Sequence, residues 1–132
     1  MKLLHPALTA TLALSLALSP LLAVAAPTAA PVRAEIDTLL IQLQKSGCQF
    51  SRNGSWYSGE EARTHLLRKL DYLEDKTTVQ STEQFIELAA TKSSMSGKAY
   101  QVRCSQTAAV ESREWLGKQL TAIRGAGKKP AP

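Results

Sequence analysis

Cys48-Gln-Phe-Ser-Arg-Asn-Gly-Ser-Trp-Tyr-Ser-Gly-Glu-Glu61 places a strand, a turn and a helix start in fourteen residues. Residues 48–52 alternate in polarity over a run too short for a helix, so they read as a strand. Asn53-Gly54 is a tight-turn signal, because both residue types tolerate a positive φ. Ser55-Trp56-Tyr57 leads out of the turn. Ser58 and Glu61 then stand at capping-box spacing, with a hydroxyl at the N-cap and a carboxylate three residues on. The spacing predicts a helix over 59–74. Ala62, Leu66, Leu70 and Leu73 form one side of it, with Glu61, His65, Arg68 and Tyr72 opposite or beside them.

The flanking segments follow the same two periods. Ile36, Leu39, Leu40 and Leu43 make the stripe of an amphipathic helix over 32–46, and Gly47 stands where a C-terminal cap belongs. Residues 75–78 are a polar link. Ser81 and Gln84 repeat the capping-box spacing before a short helix ending near Lys92, with Phe85, Leu88 and Ala89 as its buried side. Residues 93–98 read as a loop and 99–104 as a second strand. Val110, Trp115, Leu116, Leu120 and Ile123 mark a last helix over 109–123. The expected fold class is α+β: a mostly helical small domain, α-β-α-α-β-α, around a short two-stranded antiparallel sheet. Two strands alone are marginal in water, so the helices must cover them.

Cys48 and Cys104 are the chain's only two cysteines. An even count in an exported chain suggests one bridge. Two buried free thiols are the plainer alternative. Because Cys48 opens one strand and Cys104 closes the other, a bridge favours an antiparallel pair. Export itself is expected from the N-terminus. Lys2, an apolar run over 7–25 and the small-x-small site Ala23-Val24-Ala25 form the pattern of a cleaved signal peptide. Pro20 interrupts the run, and no basic cluster follows to stop transfer, so a lasting membrane span is not expected. Residues 26–31 then read as a disordered lead-in, 32–124 as one domain and 125–132 as a flexible basic tail. Removing Lys2 lowers the formal charge from +5 to +4. A chain of 132 residues excludes a large multidomain enzyme, a polytopic membrane protein and a repeat array.

Phe50-Ser-Arg-Asn-Gly54, Glu61-Ala-Arg-Thr-His-Leu-Leu-Arg-Lys-Leu70, Thr82-Glu-Gln-Phe-Ile86 and Ser93-Ser-Met-Ser-Gly-Lys-Ala-Tyr100 occur in this order. Together they resemble the YfeK-like family of small exported bacterial proteins of unknown function. The resemblance covers about 47–120, and Trp115-Leu116 is similar to the family's last helix. It implies a periplasmic protein of Gram-negative bacteria. It implies no activity, and no catalytic residue carries over from it.

The residues themselves offer four candidate features. His65 has Glu61 four positions before it and Arg68 and Lys69 just after, so a carboxylate could orient the imidazole as a base. A structural hydrogen bond is the plainer reading. Arg52-Asn53-Gly54 could offer a guanidinium and turn amides to an anion, or simply make a turn. Ser93-Ser94-x-Ser96-Gly97-Lys98 gathers hydroxyls and a Lys, with Ser94 and Ser96 as binding candidates, yet lacks the order of a P-loop. Trp56 and Tyr57 beside Arg52 have the composition of a binding hot spot, or pack the core. No catalytic set is complete, no CxxC pair is present and no metal or cofactor is expected. The expected function is a non-enzymatic binding module of the cell envelope. Its partner would be an envelope protein or glycan and not nucleic acid. The competing reading is a small envelope hydrolase using His65 with Glu61, or a serine of the 93–96 loop.

Overall fold

Ile36, Leu39, Leu40 and Leu43 are wholly buried along α1 (Ala30–Lys45), the helix around which the core is built. The structure is a computed structural model that describes residues 2–3, 7, 13–20 and 25–127. Seven further elements follow: β1 (Gln49–Arg52), β2 (Ser55–Tyr57), α2 (Gly59–Lys76), α3 (Thr82–Ala89), β3 (Gln101–Arg103), β4 (Val110–Glu111) and α4 (Ser112–Gly127). The class is the mostly helical α+β domain that the sequence implies. The sheet, however, has four strands in the order β2-β1-β3-β4, all antiparallel, and not two.

Both additional strands have local causes. Asn53 (φ 52°) and Gly54 (φ 81°) occupy the left-handed region in succession, which returns the chain alongside β1 as β2. Val110 pairs with Val102 and Glu111 with Gln101, so the last helix starts at Ser112 and not in the Ala109 region. Val110 thus serves a strand although its spacing also suits a helix.

Other boundaries move by a few residues. α1 starts at Ala30 because Pro31 suits a first helical turn, so the expected lead-in loses its last two residues to the helix. α3 stops at Ala89, and Ile86 takes the buried place expected for Leu88, which is 43% exposed. α4 continues through Gly125 to Gly127, where a tail was expected; the rest of that tail, 128–132, lies outside the described residues. Most of the expected cleavage site, Ala23 and Val24, also lies outside them.

One face of the sheet meets the helices. Phe50 and Val102 point into the core with Leu66, Leu70, Phe85 and Leu116. Gln49, Gln101, Arg103 and Glu111 lie exposed on the other face. Cys48 is bonded to Cys104, one step beyond the Gln49–Arg103 pair. At the C-terminal end of α1, Gly59 packs so closely on the helix that a Cβ would collide with the Leu43 carbonyl and lie 3.1 Å from Gln44 Cα. Ser58 caps α2 reciprocally: its hydroxyl accepts from the Glu61 amide (3.1 Å), and its amide donates to the Glu61 carboxylate (2.8 Å). Ser81 caps α3 on one side only, since Gln84 accepts from the Gln80 amide instead. Arg124 of α4 binds Glu35 of α1 and Glu83 of α3, tying three helices at the surface.

Two substitutions measure these constraints. Replacing Cys48 and Cys104 together by serine removes a closed loop with a 56-residue separation. The chain-entropy relation makes that worth about 4 kcal/mol, read as a lower denaturant midpoint. Gly59→Ala costs about 1–3 kcal/mol, because the obstruction is backbone and cannot rotate away. An unchanged midpoint for Gly59→Ala would show that the two helices separate freely.

Candidate functional site

Arg52 ends β1 on the same face as Phe50, and Tyr57 pairs with Phe50 on that face. Period-two alternation therefore puts Arg52 and Tyr57 on the helix side. It puts Trp56, paired with Ser51, on the open side. Trp56 stacks there under the Arg103 guanidinium at 4.0 Å, and Arg103 donates to Gln49. The candidate binding residues are thus divided by the sheet. Arg52, Tyr57 and His65 come together, while Trp56 does not join them.

His65 sits on the second turn of α2 and faces Arg52. The Arg52 Nη1–His65 Nδ1 distance is 2.8 Å, and His65 Nε2 lies 3.1 Å from the Tyr100 hydroxyl. A guanidinium can only donate, so Nδ1 accepts. The neutral ring then carries its proton on Nε2 and donates it to Tyr100. Lys69, one turn further along α2, donates to the same hydroxyl (3.1 Å) and to the Lys92 carbonyl (3.1 Å). Its ammonium also lies 4.9 Å from the centre of the Tyr100 ring, and Arg52 lies 5.1 Å from the centre of Tyr57. The result is a continuous chain, Arg52–His65–Tyr100–Lys69, built from β1, α2 and the residue preceding β3.

The charges of this chain are lopsided. Burial, then the charges of Arg52, Lys69 and Arg68, pull the His65 pKa from 6.5 down to about 4. Burial and Arg52 also lower that of Lys69. Burial raises that of Tyr100 against a smaller opposing effect of Arg52. Glu61, expected as the partner of His65, uses its carboxylate to cap α2. No His65–Glu61 dyad forms, and the imidazole has both nitrogens engaged with neutral or cationic groups.

Two cavities open on the chain. One, of about 360 Å³, is lined by Phe50, Arg52, Tyr57, Glu60, His65 and Arg68, among others. The second, of about 320 Å³, shares Arg52, His65 and Arg68 and adds Lys69, Tyr72 and Ser94. Asn53 joins its wall and accepts from the Ser96 hydroxyl (2.6 Å), which fastens the hairpin tip to the 93–98 loop. The hydroxyl of Ser93 is buried and accepts from the amides of Met95 and Ser96, so it shapes the loop. Tyr100 was missed as a site residue in the sequence, because only a tertiary contact between residues 35 positions apart joins it to His65. Among the described residues no cluster of three or more His, Cys, Asp or Glu could hold a metal ion.

The depressed His65 pKa has a definite sign for stability. An unfolded chain takes a proton on His65 near pH 6.5, and the folded chain takes it only near 4. Stability from this group is complete above 6.5 and declines as pH falls towards 4. Thermal unfolding at pH 7 and pH 5 tests this above the range where Glu35 and Glu83, both held low by Arg124, begin to protonate. The expected drop in Tm disappears in His65→Gln, and the His65 ring proton resonances stay in their neutral positions down to pH 5. A midpoint near 6.5 by NMR would contradict the geometry.

Comparison with known proteins now adds a family. Residues 30–124 match a family of unknown function, DUF5329, and the chain belongs to it. The uncharacterized protein YfeK of Salmonella typhimurium is 40% identical over 68 residues, 51% of this chain and 55% of that protein. The chain thus spans about half the length of this curated relative. No solved structure matches.

Proposed function

We propose that this member of a family of unknown function is a non-enzymatic binding module of the cell envelope, working through the face of α2 that meets the end of β1. The observation that carries the reading is the pair of cavities meeting on the Arg52–His65–Tyr100–Lys69 chain. Hydrogen bonds hold its polar side chains in place before any ligand arrives, which lowers the ordering cost of binding. The same bonds disfavour hydrolysis. A general base needs a free lone pair within reach of its substrate, and the Nδ1 lone pair of His65 is directed at a guanidinium. Ser96 donates to Asn53, and the Ser93 hydroxyl holds its own loop.

An envelope location is supported by the signal-like N-terminus and by the cysteine bridge. Leu14, Leu16 and Leu18 are each at least 80% exposed and contribute nothing to the core, as suits a segment destined for removal. Among the described residues no helix is long and apolar enough to cross a membrane.

The test is capture from an envelope extract by the immobilised oxidised protein, with two single variants as controls. Arg52→Ala abolishes capture of the specific partner, or weakens it at least tenfold, and Trp56→Ala leaves it unchanged. Loss in Trp56→Ala alone would move binding to the open face of the sheet. Turnover of wall material by the wild type, abolished in His65→Ala, would replace the binding reading with the hydrolase.

A further inference from the structure

Arg52, Arg68 and Lys69 converge on the junction of the two cavities without a negative charge among them. None makes an ion pair with a carboxylate among the described residues, although six such pairs form elsewhere in the domain. Arg52 and Lys69 direct protons at neutral acceptors: an imidazole nitrogen, a phenol oxygen and a backbone carbonyl. Arg68 is exposed and lines both cavities. Of the two carboxylates in the first cavity, Glu61 is held by the Ser58 amide. Glu60 lines the same cavity and makes no ion pair with any of the three cations.

We propose that this junction is an oxyanion site. Arg52, Arg68 and Lys69 hold a carboxylate or phosphate group of an extended ligand, whose remaining parts lie in the cavities on either side. The proposal rests on the binding reading above and supplies its ligand chemistry. Two guanidinium groups offer the forked donors that such oxygens accept, and the ammonium adds a point charge beside them. His65 completes the arrangement. With Nδ1 accepting from Arg52 and Nε2–H donating to the Tyr100 hydroxyl, the ring offers no lone pair to repel the anion while holding Arg52 in position. Tyr57, Phe50 and Tyr72 give the flanking cavities apolar walls for the rest of the ligand.

His65 also supplies the readout, because burial and then the charges of Arg52, Lys69 and Arg68 keep its ring neutral, and an anion at the junction opposes those charges. The oxidised protein is titrated with sodium phosphate, sodium sulfate and sodium acetate at constant ionic strength set by sodium chloride. His65 ring resonances are followed at pH 5. At least one oxyanion shifts them saturably and raises the His65 midpoint. Arg68→Gln, an exposed change outside the hydrogen-bonded chain, raises the half-saturating concentration at least fivefold, and Trp56→Ala leaves it unchanged. A response to phosphate and sulfate alone assigns a phosphate-type group, and a response to acetate as well assigns a carboxylate. Absence of a saturable shift with all three, or equal affinity in Arg68→Gln, overturns the oxyanion site. The capture experiment above would still decide the binding reading by itself.

Discussion

The antiparallel register between β1 and β3 is the constraint on which the domain depends. It pairs Gln49 with Arg103, Phe50 with Val102 and Ser51 with Gln101. Phe50 and Val102 thereby enter the core together, and the cysteines just beyond them meet. At the other end the same register brings Tyr100 towards Arg52. A slip of one residue would turn every side chain of one strand to the opposite face. The bridge between Cys48 and Cys104 opposes that slip covalently. α2 is positioned from its own end, where Gly59 lies against the backbone of α1. These two restraints, which lie near each other beyond the C-terminal end of α1, thus set where His65 meets the sheet.

The domain handles positive charge in two contrasting ways. On the helical surface Arg124 is matched by Glu35 and Glu83, and Glu35 accepts a further bond from Thr82 (2.5 Å). That cluster is self-contained and partly exposed, and contributes the modest stability usual for surface pairs. At the Arg52 end no carboxylate forms an ion pair with Arg52, Arg68 or Lys69 among the described residues. Neutral acceptors satisfy the hydrogen bonds there while the charge stays uncompensated. Together with burial, the larger effect, that charge keeps the imidazole from its ordinary proton uptake. Self-satisfied charge serves architecture; uncompensated charge beside a cavity is available to a ligand.

Most of the fold was legible because its signals were local and redundant. The stripe of α1, the reciprocal cap at Ser58 and Glu61, the Asn53-Gly54 turn and the cysteine pair each have a short-range cause. β4 was not legible. It has two residues, and Val110 suits a helical wheel as well as a strand. The three residues of β2 gave too short a run to name as a strand, and that omission had a larger effect. Recognised as a strand, Ser55-Trp56-Tyr57 would have shown that consecutive aromatics point to opposite faces. Trp56 would then have been separated from Arg52 at once. Glu61 had two plausible uses, cap and base partner, and the cap prevails because the amide of Ser58 is closer at hand in the chain. Tyr100 could be joined to His65 only through a tertiary contact between residues 35 positions apart, which no local pattern contains.

The wide spacing of β1 and β3 along the chain also governs when the pocket comes into being. α2 and α3 lie between the two strands, so their pairing closes a long loop that helix formation cannot shortcut. Contacts of such sequence separation are the slow ones in small domains, whereas helices and hairpins assemble early. Arg52 belongs to the early hairpin and His65 to an early helix, but Tyr100 reaches them only when β3 docks. The candidate site is therefore a late product of folding. In a partly folded chain Tyr100 would not yet hold His65 and Lys69, and the hydrogen-bonded chain would be complete only in the finished domain.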